Sequence, residues 1–468
     1  MSADVGRRSH HDPGRFWRLA LAVCAALALA AAALGTMGAL RGPTLAGATV
    51  AVERTVSSAG TQLTLRSRQP IDEVSAGQVS VTPASAVTVA SRDNTVTVRF
   101  ATTLAYATGY TVRVTGVRSP YTGRTADWRY SFTTPAADVY SLLAHRGAGD
   151  QPDDEIVTEA AGARRTVLTA AGIDEYTVTP THVVAISHPD DQTSRLVVTD
   201  RDSGAPVADV RAPEVPALAL LQMSSDGTRF GYTATGTDAA TGAQDDNTLY
   251  IQDATQLEQA PTAITNAGQA LAVQDWRFVP GVSAVVVLAL DGQAYLIYLD
   301  SDTRPVPLGS LAQLVGFTPG NPSLVAEAGG KPVLLDLTAG STTPIQRAAD
   351  TEDSFTGRTS LIGPDDYVAQ NDKVVTSGGS SRVVSRLIRV TGGHRTILTS
   401  FPPAKGQVID SGISPNGQFA WATVLSPDAP ADELTSGASS HAITTIVDAT
   451  TGRLVGTVPG STPVWAVR

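Results

Sequence analysis

Cysteine is almost absent: the single one, Cys24, stands inside an apolar run. No disulfide can form within the chain, and zinc sites of Cys type or Cys-based catalysis are excluded outside that run. Lysine is nearly as scarce, with Lys331, Lys373 and Lys405 the only ones among 34 basic residues. Acidic residues outnumber basic ones, giving a net charge of −10 and a pI of about 5.2. That balance argues against nucleic acid as a partner, because a phosphate backbone needs clustered Lys and Arg. The recognisable catalytic signatures are missing too: there is no G-x-S-x-G elbow, no H-E-x-x-H and no phosphate-cradling P-loop.

What is present describes a folded chain. Charged residues make up 17% and hydrophobic ones 42%, a globular rather than a disordered balance. At 468 residues the chain exceeds one ordinary core, so two or three domains are expected. Arginine-for-lysine usage with abundant Ala and Val is the composition of a high-GC bacterial genome, and an actinobacterial source is expected.

One long apolar run exists. From Leu19 to Leu40 no residue is charged, and about 20 such residues span a bilayer core as a helix. Arg7, Arg8, Arg15 and Arg18 precede it and only Arg41 follows closely. The positive-inside rule then places residues 1–18 in the cytoplasm as a short tail, 19–40 in the membrane, and the bulk outside. Trp17 suits an interfacial anchor. An uncleaved signal anchor is the favoured reading, since the run exceeds the about 7–15 residues of a signal-peptide core. Two others stay open: cleavage near "AGA" at Ala46–Ala48, and a lipoprotein through the loose lipobox "LAVC" at Leu21–Cys24.

Residues 49–135 alternate apolar and polar residues with period two, the mark of half-buried strands. "TVAVE", "TQLTLRS", "QVSVT", "AVTVAS", "TVTVRF", "GYTVRVTG" and "WRYSFTT" predict about seven short strands, as in an antiparallel sandwich of immunoglobulin type. The closing stretch "LAYATGYTVRVTGV…GRTADWRYSFTTP" resembles the bacterial Ig-like domains of S-layer and other envelope proteins, through Tyr110, Val112, Val114, Phe132, Thr134 and Pro135. The resemblance implies a spacer or adhesive module.

From Asp138 to the end a polar turn feeding a strand recurs: "TVTPTHVVAIS", "LQMSSDGTRFGYTA", "RFVPGVSAVVVLA", "GFTPGNPSLVAEA", "SLIGPDDYVAQ" and "SGISPNGQFAWAT". Its anchors Pro180, Ser225, Pro280, Pro319, Pro364 and Pro415 fall about 40–55 residues apart, near the about 40–50 of a propeller blade. A second turn, often opened by Asp, alternates with the first, as in "VVTDRDSGAPV" and "IVDATTGRLV". Two hairpin turns per repeat mean four strands per repeat. The best copies, Ile413–Thr423 and Met223–Thr233, resemble the hairpins of TolB-like and WD-repeat-like β-propellers, although no repeat carries a Trp-Asp pair. Val139–Ala170 supplies only about three strands, and the end "GSTPVWAVR" one more. Joined, they complete a blade and remove an open edge. The expected fold class is therefore all-β: an N-terminal transmembrane helix, an Ig-like sandwich over 49–135, and a seven-bladed propeller over 138–468 closed by its C-terminal strand.

In such a blade the short turns share one face, while the second-to-third loops and the links between blades share the other. The longer loops of that second face are acidic. They carry Asp150, Asp153 and Asp154; Asp190 and Asp191; Asp238, Asp245 and Asp246; Asp428, Asp432 and Glu433; and the link adds Asp350, Glu352 and Asp353. Long loops on a rigid scaffold are where binding concentrates. Carboxylates facing one way would attract a basic partner or a hard cation such as Ca²⁺. The bland alternative is that Asp and Asn are good turn residues, and no loop has full calcium-loop spacing.

His145, His182, His188, His394 and His441 are scattered, and "HPDD" at His188–Asp191 reads first as a proline turn. "DRDSG" at Asp200–Gly204 matches the ordinary inter-strand turn, and Trp276, Trp421 and Trp465 sit in strand contexts as core residues. The function these features imply is non-catalytic binding or scaffolding at the cell envelope, with an envelope protein or cell-wall component as partner and no required cofactor. The alternative is a propeller enzyme, hydrolase- or lyase-like, with a metal or acidic site in its central channel. A sensory ectodomain would need a membrane partner, because the tail is too short for an output domain.

Overall fold

The computed structural model describes residues 17–18, 20–29, 42–145, 152–160, 163–189, 193–266, 268–301, 303–345, 354–377, 380–429 and 439–467. Nearly all regular structure is β. Residues 20–29 are helical. The rest of the expected 19–40 span lies outside the described residues, and among the described ones no helix is long and apolar enough to cross a membrane.

The chain divides into two units. The first comprises Met1–Val50, Gln62–Arg99 and Tyr110–Ser131. It holds one sheet ordered Leu45–Val50, Gln62–Ser67, Thr95–Phe100, Val87–Arg92, and a second ordered Val79–Thr82, Gly109–Arg118, Thr125–Thr133. Alternation decides which side chains go inside: Leu63, Leu65, Val96, Val98, Val112 and Val114 are fully buried while their neighbours face out. Trp128 is buried and donates its indole N–H to the Pro43 carbonyl at 2.7 Å.

One expected strand is corrected. "TVAVE" does not continue as β: the strand ends at Val50, and Val52–Ser57 is a short helix. Thr55 Oγ1 bonds the Val52 carbonyl at 2.6 Å, and Val56 is fully buried against Tyr106, Trp421 and Trp465. Tertiary burial overrides the local alternation here.

The second unit comprises Ala51–Thr61, Phe100–Gly109 and Phe132–Arg468. Seven antiparallel sheets of three or four strands follow one another among its described residues, with a two-stranded ribbon of Thr265–Asn266 and Gln269–Ala270 between the third and the fourth. The first joins chain ends, in the order Ser461–Val467, Ala137–Leu143, Asp154–Ala160, Ala163–Ala170. The second holds Ile173–Val178, His182–Ser187 and Arg195–Asp200, with a Thr199 to Pro206 bridge beyond. The third runs from Ala217–Met223 through Arg229–Thr237 and Gln244–Asp253 to Thr262–Ala263. The fourth is Val273–Phe278, Ala284–Ala289, Gln293–Tyr298 and Val306–Ser310. The fifth is Gln313–Phe317, Ser323–Ala328, Lys331–Asp336 and Ser341–Pro344. The sixth is Ser354–Gly363, Asp366–Ser377, Ser380–Thr391 and His394–Phe401. The seventh is Gln407–Ile413, Phe419–Leu425, Ala442–Asp448 and Leu454–Pro459.

Packing explains the composition of each strand. The second strand of the fourth sheet has apolar neighbours on both sides and reads as a continuous run: every residue of "AVVVLA" at Ala284–Ala289 is buried. Each buried Val there contributes roughly 1.5–3 kcal/mol. The fourth strand of the fifth sheet, Ser341–Pro344, is exposed throughout and correspondingly polar. An apolar cluster lies between each sheet and the next. Trp421, Ile446 and Val458 of the seventh sheet meet Val139 and Trp465 of the first.

Candidate binding face

Antiparallel pairing puts the first-to-second and third-to-fourth turns of every sheet on one side. The second-to-third loops and inter-sheet links lie on the other. The short turns are built from within. In the third sheet Ser224 Oγ donates to Asp226 Oδ1 at 2.7 Å and accepts from the Arg229 N–H at 3.0 Å, with Gly227 at φ 71°. The seventh sheet repeats this wiring: Ser414 Oγ donates to Asn416 Oδ1 at 2.8 Å and accepts from Phe419 N–H at 3.0 Å, with Gly417 at φ 72°. A Cβ at either glycine would be strained. The third-to-fourth turns use Asp200, Asp253, Asp336 and Asp448, each accepting the backbone N–H two residues on. The Ser203 hydroxyl and amide hold the Asp200 carboxyl below its usual range, and the Thr255 hydroxyl does the same for Asp253. Asp200–Gly204 is thus an ordinary turn.

The chain itself covers part of this turn side. Within the second unit, Ala59 N–H donates to the Gly320 carbonyl at 2.8 Å and Thr103 Oγ1 to the Asn416 carbonyl at 3.0 Å. Tyr106 N–H donates to Gln418 Oε1 at 2.7 Å, and its ring stacks on Phe419 at 6.3 Å.

The loop side carries the sequence-derived acidic candidates. Asp150, Asp190, Asp191, Asp350, Asp353 and Asp432 lie outside the described residues. Asp153, Asp246 and Asp428 are exposed. Asp154 and Asp245 instead turn inward. Asp154 is 2% exposed and accepts the backbone N–H groups of His145 and Ile173, both at 2.7 Å, tying the first sheet to the second. Asp245 accepts from the Tyr250 hydroxyl at 2.9 Å. Burial, and then the hydrogen bond to Asp245, push the Tyr250 hydroxyl up to about 12. Asp238 closes its own loop by accepting from Ala240 and Thr241. Among the described residues no group of three or more His, Cys, Asp or Glu could hold a metal.

Beside Asp428 the loop side opens a cleft of about 590 Å³ between the sixth and seventh sheets. Phe355, Val383 and Val408 supply apolar walls, and Asp372, Arg382 and Gln407 the polar ones. Phe355 and Val383 are 49% and 47% exposed. Gln370 Nε2 donates to both oxygens of Asp372, at 3.0 and 3.2 Å, fixing that carboxylate in the wall. The 12-residue strands Asp366–Ser377 and Ser380–Thr391 create this wall by running past their neighbours: pairing with the outer strand stops at Ser385 to Phe401. Nothing in local sequence periodicity announces a cleft made by two sheets about 40 residues apart.

The polar residues along the first strands are bound to their neighbours. Glu175 accepts the Leu220 N–H at 3.0 Å, Gln222 Nε2 donates to the Trp276 carbonyl at 2.7 Å, and Tyr176 donates to the Thr462 carbonyl at 2.7 Å. Asp275 pairs with Arg277 and Asp410 with Arg358. His188 joins residues that sequence spacing did not suggest: its Nδ1 meets Asp174 Oδ2 and its Nε2 meets Ser194 Oγ. The connectivity is that of an acid–base–nucleophile relay. Yet Ser194 is only 5% exposed, and its Oγ already accepts the Leu218 N–H at 2.9 Å. In this arrangement Ser194 ties the second sheet to the third.

No family profile and no curated protein matches the chain. Among solved structures it is similar to a prolyl endopeptidase at 13% identity and a TM-score of 0.46, covering 70% of this chain and 50% of that one. It is also similar to U3-55K, at 13% identity, TM-score 0.36, with 66% and 98% coverage. A third is the β-propeller domain of Myceliophteria thermophila Cps50 (Swd1), at 10% identity, TM-score 0.37, with 62% and 86% coverage. The chain spans half the length of the prolyl endopeptidase.

Proposed function

We propose that this protein is a membrane-anchored binding or scaffolding protein of a bacterial cell envelope. In this reading residues 19–40 anchor it, an Ig-like module follows, and the seven sheets are the blades of one closed propeller outside the cytoplasm. The working surface is the loop side, which carries the cleft between the sixth and seventh sheets and exposed Asp153, Asp246 and Asp428. One observation carries the reading: the turn side is partly covered by the chain's own Ala59, Thr103 and Tyr106, whereas the cleft leaves Phe355 and Val383 about half exposed. Apolar anchors beside fixed polar groups are what a protein partner needs. Ca²⁺ is proposed only as an accessory of the acidic loops, tested by a Ca²⁺-dependent rise in melting temperature. The functional test is co-purification from envelopes of full-length protein carrying Phe355→Glu or Val383→Glu. Loss of a partner retained by the unaltered protein supports the cleft; unchanged retention argues against it.

A hydrolytic reading rests on the Asp174, His188 and Ser194 arrangement. A serine-directed fluorophosphonate separates the two. Labelling at Ser194 would favour the enzyme; an unlabelled Ser194 leaves it a structural tie.

A further inference from the structure

We propose that one end of the first unit rests on the membrane surface and binds anionic lipid headgroups through arginines around Tyr121. This rests on the reading of 19–40 as a membrane anchor. The position of that end follows from chain length. The apolar run ends at Leu40, and Thr44 is already fixed in the fold, its carbonyl accepting from the Arg68 N–H at 3.4 Å. The preceding Pro43 carbonyl is held by Trp128. Four residues reach at most about 14 Å, and the headgroup zone beyond the hydrocarbon is itself about 5–8 Å deep on each side. The end of the unit that contains Thr44 is therefore held within about 6–9 Å of the headgroup zone, a gap that exposed side chains can bridge.

Backbone hydrogen bonds identify what shares that end. Ser67 N–H donates to the Asn94 carbonyl, Ile71 to Asp93, Asp72 to Arg118, and Ser119 to Arg124. These bonds gather the 67–72, 92–94 and 118–124 loops beside the point of chain entry. Arg68, Arg92, Arg118 and Arg124 are all exposed there. Arg118 and Arg92 make only loose pairs, each at 3.7 Å, with Asp72 and Asp93. Arg68 and Arg124 have no ion pair among the described residues. With Asp72, Glu73 and Asp93 on the same loops, the four arginines leave this end one net positive charge in a protein of net charge −10. At its tip Tyr121 is 80% exposed, more than any other large apolar side chain among the described residues. An amphipathic ring flanked by guanidinium groups matches the headgroup layer: the ring enters it while the arginines meet lipid phosphates.

The test uses the full chain in nanodiscs of phosphatidylcholine with or without phosphatidylglycerol. In a Cys24→Ala background, a fluorophore is placed at Thr122→Cys beside Tyr121, or at Ala84→Cys at the opposite end of the unit. Headgroup-nitroxide lipid should quench the label at 122 and not the one at 84, more strongly with phosphatidylglycerol. Tyr121→Ser with Arg68→Glu and Arg124→Glu should abolish the quenching. If the chain co-elutes with nanodiscs but the label at 122 stays as unquenched as that at 84, the headgroup contact is wrong while the anchor stands. If the chain does not co-elute, the anchor fails and the contact with it.

Discussion

Arg201 Nη1 donates to the Val467 carbonyl at 2.8 Å, across 266 residues of sequence. The same guanidinium donates through Nε to the Tyr140 hydroxyl at 2.8 Å and through Nη2 to Asp138 at 3.3 Å. One buried side chain of the second sheet thus holds both the entering and the returning strand of the first. Strand pairing aligns Val464 with Tyr140 and Val467 with Ala137, and Arg201 fastens that junction from outside the sheet.

Removing this clamp should be costly. Arg201→Ala leaves buried acceptors unpaired and is expected to destabilise the second unit by about 3 kcal/mol. Arg201→Lys should recover only part of it, since an ammonium lacks the planar fork. Urea unfolding of the two variants, with equal slopes, checks both.

Asn416 and Asp226 occupy the same position in two copies of one turn but differ in duty. Asn416 Nδ2 also donates to the Leu104 carbonyl at 3.1 Å, which a carboxylate cannot do. Asn416→Asp should therefore lower stability by about 1–2 kcal/mol. Asp226→Asn keeps the acceptor of its turn but gives up the charge that strengthens those bonds, and should cost about 0.5–1 kcal/mol, less than Asn416→Asp. Thermal unfolding of the pair gives the comparison.

The turn aspartates set a pH dependence. The carboxyls of Asp200 and Asp253 are depressed in the fold. Their unfolded value is about 3.9. Their stabilisation is therefore complete above that value and lost as pH falls through the lower folded values. A double Asn variant should show a constant deficit at neutral pH and a shallower loss of stability below about pH 4. Parallel acid-unfolding curves for the two proteins would contradict this.

The short segments around Val56 and Tyr106 belong to the second unit. A fragment beginning at Ala137 would uncover Phe419, Trp421 and Trp465. It should bind a hydrophobic dye and aggregate, whereas the chain from Gly42 onward should not. Equal dye binding by the two would contradict this packing.

The repeat could be read from sequence because its turns close locally. The bonds that close the turn among Ser414, Asn416 and Phe419 lie within six residues, and the same short pattern recurs at Ser224. Continuous apolar runs such as Ala284–Ala289 were equally plain. Long-range partners were not legible. Arg201 finds Tyr140 and Val467, His188 finds Asp174 and Ser194, and Val52–Ser57 becomes helical to bury Val56. The acidic loops also concealed a division of labour. Asp154 and Asp245 look like Asp153 and Asp246 in sequence, yet they point inward to bind amides and a hydroxyl. The cleft was invisible because no single repeat contains it.

The most direct test of the loop-side account is site-specific photocrosslinking in intact cells. A photoreactive residue is placed at Phe355, at Val383, or at Thr338 in an exposed turn on the opposite side. The account predicts one common crosslinked partner from Phe355 and Val383 and none from Thr338. Crosslinking from Thr338 with silence at both cleft positions would contradict it.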